Sequence, residues 1–223
     1  MNKKLLFVVA TIVLIIGILF LFGFYNNMDR DKVGISKTNH DEVKISKART
    51  FSLSNQPYIG DRNAKNIIVE FSDYRCPWCK KFQVEVYPKI KTKLVNTGKA
   101  KFYYVNLTVL GPDSAKAANA SYYIYKEYPQ SFFAFHDALF ESQSDEKKDW
   151  VTDALLIEKA EQTVPHLNRK EFLSAIKSNK YKNQVQNINE KVSKIGVKQT
   201  PTLVVNNRSI DPYDYKKIKS LMR

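Results

Sequence analysis

The sequence predicts an α/β fold in which a block of helices is inserted between two sheet-forming halves. Three observations predict this fold. Two short runs, residues 67–71 (IIVEF) and 101–107 (KFYYVNL), have the length and apolar or aromatic composition of buried strands. Helical spacing of apolar residues fills the stretch between them and recurs between about residues 113 and 194. A β-rich run, Thr202–Val205, then returns the chain to the sheet.

The first predicted helix follows Cys76. Apolar residues recur three or four positions apart from Cys79 to Leu94, and Gly98 marks the end of the pattern. Pro88 is expected to kink this helix, because its ring clashes with the preceding turn. Strand, helix and strand together predict a βαβ unit with a right-handed crossover.

The predicted insertion comprises several helical blocks. They cover residues 115–128, 131–142, 151–164 and 181–194. We therefore expect a folded domain over residues 57–223, with a helical insertion at about 113–194. After the last strand, Asn206 and Asn207 predict a turn, and a lysine-rich helix runs through Leu221.

The N-terminus carries an apolar run without a charge, residues 5–24. Its length matches the ~20 residues needed to cross a bilayer, and Lys3 and Lys4 precede it. The run is longer than a signal-peptide core and no small-x-small cleavage motif follows it. Residues 1–24 are therefore predicted to be an uncleaved signal anchor with one transmembrane helix, and the polar residues 25–56 a spacer.

The chain of 223 residues has a formal net charge of +14, from 36 Lys and Arg against 22 Asp and Glu. The basic residues are mostly lysines scattered singly, and no recognised nucleic-acid motif accompanies them. We therefore expect no nucleic-acid partner. A solvated basic surface near anionic lipid or cell-wall polymer accounts for the charge.

The two cysteines, Cys76 and Cys79, lie in the sequence CPWC at the predicted junction of strand and helix. The unpaired N–H groups of a helix N-terminus favour a thiolate on Cys76, Arg75 adds positive potential, and Pro77 suits the first turn. Cys79 lies one turn later, where it can attack a mixed disulfide on Cys76. An export signal places this pair where disulfides persist, so it is predicted to be a redox centre. Together with the predicted anchor, this redox argument predicts a single-pass membrane protein with its catalytic domain on the extracytoplasmic side.

Other uses of a Cys-x-x-Cys pair are less well supported. A zinc site needs two further ligands, but there is no third cysteine and the three histidines are dispersed, so no metal site is predicted. A structural disulfide across so short a loop contributes little stability. A reductase or isomerase, and a non-enzymatic Cu(I) carrier that uses the two thiolates, remain open alternatives.

Four other residues are candidates for the site. Glu70, in the apolar strand before the cysteines, is either a buried acid that exchanges a proton with Cys79 or a solvent-facing strand-end acid. Trp78 is an exposed aromatic contact for substrate. Thr200 and Pro201 form either a cis loop whose backbone pairs with substrate or an ordinary trans turn. His136, among aromatic residues, is predicted to be structural.

These motifs together resemble a known family. The stretches GDRNA (60–64), VEFSDYRCPWC (69–79), NTGK (96–99) and FHDALF (135–140) occur in the order found in the DsbA-like thiol-disulfide oxidoreductases, most closely the Gram-positive BdbD-like members. The resemblance extends over residues 58–221. Trp78 is the departure, because better-known oxidases of the family carry other residues there.

The resemblance implies a thioredoxin fold with an inserted helical domain. It also implies an acid at Glu70 and a cis-proline at Pro201 preceded by Thr200. The activity it implies is oxidation of cysteine thiols in exported proteins. The implied partner is a quinone-linked membrane thiol oxidase similar to DsbB or BdbC, and no cofactor is expected beyond the cysteine pair.

Overall fold

The computed structural model of the protein describes residues 33–35, 42–46, 49–144 and 148–223. The predicted signal anchor, residues 1–24, lies outside these ranges. Within them, none of the helices combines the length and apolar character required to cross a membrane.

A six-stranded mixed sheet forms the centre of the described fold, in the order β1-β4-β6-β5-β7-β8. Its strands are β1 (Val33–Ile35), β4 (Pro57–Ile59), β5 (Asn66–Ser72), β6 (Ala100–Asn106), β7 (Thr202–Val205) and β8 (Arg208–Ile210). β5 and β6 are parallel, and the other neighbouring strands are antiparallel. Strands β2 (Glu42–Ser46) and β3 (Arg49–Ser52) form a separate antiparallel pair.

The connection from β5 to β6 is helical, as predicted. It consists of α1 (Pro77–Glu85), α2 (Tyr87–Ile90) and a π-helical turn, Lys91–Val95. The axis breaks at Val86, just before Pro88, where the kink was expected. Gly98 follows in the left-handed region, with φ of 71°, which closes the helical segment at little steric cost.

The predicted helical insertion between β6 and β7 is confirmed. It contains α3 (Pro112–Glu127), a 3-10 turn (Pro129–Ser131), α4 (Phe132–Glu141), α5 (Asp153–Thr163), α6 (Arg169–Lys177) and α7 (Lys182–Lys194). The helix α8 (Tyr215–Ser220) follows β8. Helix α6 was not among the predicted blocks, because its nine residues include only three buried apolar ones.

Strands β1, β2 and β3 lie within the segment predicted to be a polar spacer. Val43, Phe51 and Leu53 are at most 3% exposed, so this segment also contributes to the core. Strands of three to five residues are too short to give a readable alternation of polar and apolar residues. The described fold therefore begins upstream of residue 57.

The two central strands carry the core of the sheet. All seven residues of β6 are buried, and so are six of the seven in β5. Phe71, Phe82 and Phe102 are fully buried, and each such side chain contributes about 2–3 kcal/mol of transfer free energy. The carboxyl end of β5 leads directly into the cysteine motif, so this rigid strand positions it.

Candidate active site

Cys76 stands at the N-terminus of α1. It is the N-cap residue, with extended backbone angles (φ −76°, ψ 119°), and Pro77 begins the helix. The side chain is 4% exposed, and the backbone N–H groups of Trp78 and Cys79 act on its sulfur. This is the position predicted from the sequence, where the first turn of a helix stabilises an anion.

The two cysteines have opposite acidities. A hydrogen bond from the Cys79 thiol, aided by Thr200 and the first-turn N–H groups, lowers the pKa of Cys76 to about 6 against the opposing effect of burial. Burial, and the thiolate of Cys76 beside it, raise the pKa of Cys79 well above 9.0. At neutral pH Cys76 is therefore the thiolate and Cys79 the thiol, which suits a nucleophile and a resolving thiol.

The loop before β7 lies against the nucleophile. The Cys76 Sγ is 3.4 Å from the carbonyl oxygen of Thr200, and the Thr200–Pro201 peptide bond is cis, the conformation that the family resemblance implies. Strand β7 pairs antiparallel with β5, which ends just before the cysteine motif. The sheet therefore brings together two segments that are 124 residues apart in the chain.

Glu70 is a buried acid in β5, with no measurable exposure, so the alternative of a solvent-facing acid is wrong. Burial is the main cause that raises its pKa to about 8, and the charges of Cys76 and Asp137 add to the effect. The charge of Glu70 in turn raises the pKa of Cys79. A negative charge on Glu70 therefore disfavours ionisation of the Cys79 thiol.

Asp73 holds the loop between β5 and α1. Its carboxylate accepts hydrogen bonds from the backbone N–H groups of Arg75 (2.9 Å), Val109 (2.8 Å) and Leu110 (3.2 Å). Its own carbonyl accepts from the N–H of Cys76 at 3.0 Å. The Arg75 guanidinium, expected to add positive potential near the thiolate, donates to the Leu110 carbonyl.

Known proteins share this sequence and this arrangement. The profile of the family described as thioredoxin matches residues 52–223. The disulfide bond formation protein D of Bacillus subtilis strain 168 is 36% identical over 169 residues, which are 75% of this chain and 76% of that protein. The chain belongs to the DsbA-like family of thiol-disulfide oxidoreductases.

Solved structures of this family have the same fold. The crystal structure of oxidised BdbD from Bacillus subtilis matches with a TM-score of 0.73 at 33% identity, over 82% of this chain and 96% of that one. DsbA from Chlamydia trachomatis matches with a TM-score of 0.65 at 27% identity, over 74% and 86% of the two chains. The predicted thioredoxin-type α/β fold with a helical insertion is therefore confirmed, and so is thiol-disulfide oxidoreductase activity.

The surface of this DsbA-like site is apolar and exposed. Trp78 is 58% exposed, and Val109 and Leu110 are 47% and 41% exposed. The Tyr213 hydroxyl donates to the Trp78 carbonyl at 2.7 Å, and the Lys81 ammonium lies 5.3 Å from both rings. Sequence reasoning missed Tyr213, Val109 and Leu110, because nothing in their local sequence links them to the cysteines.

A buried polar chain lies beneath the DsbA-like redox centre. Gln83 Nε2 is 3.3 Å from Glu70 Oε2 and 2.8 Å from His136 Nε2, while His136 Nδ1 is 3.1 Å from the Tyr74 hydroxyl. Burial lowers the pKa of His136 to about 3, so the ring is neutral. Sequence reasoning missed Gln83, although a polar residue between Phe82 and Val86 on the apolar face of α1 is a signal for such a contact.

Replacing Asp73 with alanine should lower the free energy of unfolding by about 2–4 kcal/mol, because three backbone N–H groups lose their acceptor. Urea unfolding of the reduced protein, followed by circular dichroism, measures the loss. Asp149→Ala is the matched control, since this acid is 86% exposed and should change stability by less than about 0.5 kcal/mol. Equal stability of Asp73→Ala and the parent would contradict this role.

Proposed function

We propose that this oxidoreductase introduces disulfide bonds into exported proteins. The observation that carries the proposal is the position of Cys76 at the N-cap of α1, with its sulfur 3.4 Å from the Thr200 carbonyl oxygen, and hydrogen bonding by Cys79 lowers its pKa there. The similarity to a relative named disulfide bond formation protein D supports the direction of the reaction. The apolar residues 5–24 support attachment to the cell membrane by a single span, with residues 57–223, including the insertion, on the extracytoplasmic side.

The oxidised form starts the reaction, with a disulfide between Cys76 and Cys79. A substrate thiolate attacks the Cys76 sulfur, the bond to Cys79 breaks, and Cys79 leaves as a thiolate that takes a proton from Glu70. A second substrate thiolate then attacks the substrate sulfur of the mixed disulfide and expels Cys76. Two electrons thereby pass from substrate to enzyme, and a substrate disulfide forms.

The acidity of Cys76 favours the second step. A thiol with a pKa of about 6 is a good leaving group at neutral pH, because it departs as the stable thiolate. The raised pKa of Cys79 ensures that this sulfur is protonated once it has left. The exchange is therefore driven towards the reduced enzyme and the oxidised substrate.

Substrates bind along the surface next to Cys76 in this proposal. Pro77, Trp78, Thr200 and Pro201 are the proposed contact residues. The Thr200 carbonyl lies beside the sulfur, where an extended substrate backbone can pair with it, and the exposed Trp78 offers an apolar contact. Such contacts suit unfolded chains, because a backbone pairs in the same way whatever its side chains.

The reduced enzyme needs an oxidant to complete a cycle. We propose a quinone-linked membrane thiol oxidase similar to DsbB or BdbC, which would re-form the Cys76–Cys79 disulfide and pass two electrons to a quinone. An anchor in the same membrane would keep the two proteins close together. The enzyme itself requires no cofactor in this scheme, since the two sulfurs hold the electrons.

The reduction potential of the cysteine pair tests the direction. A Cys76 pKa of about 6 instead of 9.0 stabilises the reduced form by about 1.4 kcal/mol at pH 7, or about 30 mV. We expect a potential in the oxidising half of the range of roughly −270 to −120 mV spanned by Cys-x-x-Cys enzymes. Equilibration of the full chain in detergent with glutathione, followed by thiol alkylation and a gel shift, gives the value. A potential near or below about −250 mV would indicate a reductase.

A further inference from the structure

Gln83 links Glu70 to the helical insertion. It lies on the buried face of α1, four residues after Cys79, and is 8% exposed. Its amide nitrogen carries two hydrogens, and two acceptors lie within reach, Glu70 Oε2 at 3.3 Å and His136 Nε2 at 2.8 Å. One hydrogen of the amide therefore points to each acceptor.

His136 determines which way this amide faces. The buried ring is neutral and has one N–H, and its Nδ1 is 3.1 Å from the Tyr74 hydroxyl. With the hydrogen on Nδ1, Nε2 is an acceptor and requires the NH₂ group of Gln83. A flipped amide would instead place its oxygen against Nε2 of His136, which is also an acceptor. Rings pack around His136, including Tyr104 at 4.3 Å and a stacked Phe132 at 5.8 Å between centroids, and restrict its movement.

We propose that Gln83 is a positioning residue whose side-chain amide, oriented by His136, donates to Glu70 and sets the pH at which Glu70 accepts the proton of Cys79. The proposal rests on the acid–base role of Glu70 proposed above. A hydrogen bond to the ionised carboxylate favours the charged form and opposes burial. Without this bond, Glu70 would stay protonated to higher pH and would be a poorer acceptor.

The other titratable groups around Glu70 act in the opposite direction. They are Tyr104 on β6, Asp137 on α4, Cys76 and Cys79 at the start of α1, Tyr74 in the loop before α1, and Tyr213 in the C-terminal segment. Each is neutral or negative, so none of them stabilises the charge on Glu70. Hydrogen-bond donors are left to oppose burial: a side-chain hydrogen bond from Ser72 lowers the pKa of Glu70, and the Gln83 amide is a second donor within reach of this carboxylate.

Gln83 also borders solvent on its other side. It lines a groove of about 370 Å³ between α1, α2 and α4, together with Lys91 and Asp137. Glu70 does not line this groove and has no measurable exposure. Gln83 thus lies between the buried acid and this groove.

The test follows one step, resolution of a glutathione mixed disulfide on Cys76. The Cys79 thiol gives its proton to Glu70 and attacks the Cys76 sulfur; a Cys76–Cys79 bond forms and glutathione leaves as a thiolate. The rate is measured in the full chain by stopped-flow fluorescence from pH 5 to pH 10. Gln83→Leu should move the midpoint of the profile up by about one pH unit, which is a tenfold slower rate below the midpoint.

Two further variants separate positioning from a structural effect. Glu70→Gln should remove the pH transition caused by Glu70 from the rate profile. Adding Gln83→Leu to the Glu70→Gln variant should leave that profile unchanged. Val84→Ala, at an exposed position on the same helix, should leave the profile unchanged. His136→Phe removes the acceptor for Gln83 and should shift the midpoint in the same direction as Gln83→Leu, by a smaller amount.

The outcomes that would overturn the proposal are distinct. An unchanged midpoint in Gln83→Leu would overturn it, and so would an equal slowing by Gln83→Leu in the parent and in the Glu70→Gln background. An unchanged midpoint in His136→Phe would overturn the orientation by His136. If Glu70→Gln keeps the full pH profile, the acid–base role of Glu70 itself is wrong, whatever Gln83 does.

Discussion

Replacing Cys79 with alanine should trap the protein in covalent complexes with its substrates. Cys76 still attacks a substrate disulfide, but Cys79 can no longer attack the Cys76 sulfur of the resulting mixed disulfide and release the substrate with both thiols reduced. Intramolecular attack has an effective concentration of about 10⁵ M or more in well-oriented systems, so we expect release to slow by at least about a thousandfold. Complexes should accumulate on non-reducing gels and disappear when a reductant is added.

The matched control is Cys76→Ala, which keeps Cys79. Burial and a pKa well above 9.0 make Cys79 a poor nucleophile, so this variant should form no complexes. Release by Cys79→Ala at the parent rate would show that Cys79 is not the resolving thiol. Complexes with Cys76→Ala would show that the two roles are reversed.

Replacing Glu70 with glutamine should stabilise the protein at neutral pH. The folded-state pKa of Glu70 is raised from 4.5 to about 8, so its stability contribution is complete below pH 4.5 and is lost progressively as pH rises from 4.5 through 8. Glutamine has the same size and is neutral in both states, whereas Glu70 must take up a proton to be buried at pH 7. We expect the variant to be more stable by about 3 kcal/mol at pH 7, with little difference at pH 4.

Urea unfolding of the reduced protein at pH 4, 7 and 9 measures this effect. The control is Glu85→Gln, at an exposed position on α1, which should change stability by less than about 0.5 kcal/mol at each pH. An increase in the free energy of unfolding that is the same at all three pH values would contradict the explanation by the raised pKa of Glu70. A loss at pH 7 would contradict it as well.

The sequence by itself determined the redox chemistry of the site. The three-residue spacing of Cys76 and Cys79 and the strand before them are local, and local geometry places one sulfur at a helix N-terminus and the other one turn later. The helical insertion could also be predicted from the sequence, because α3, α4, α5 and α7 each repeat apolar residues over nearly three turns or more. Short elements such as β1 and α6 carry too few residues for such a pattern.

Only the tertiary structure decided which distant groups act on the sulfurs. The pairing of β7 with β5 brings Thr200 to Cys76, and the packing of α4 on α1 brings His136 to Gln83 across 53 residues. The burial of Glu70 depends on the helix and strands around its own strand, so its pKa could not be derived from neighbouring residues. Spacing along the chain defines a nucleophile, but its acidity and its proton acceptor depend on long-range packing and the exclusion of water.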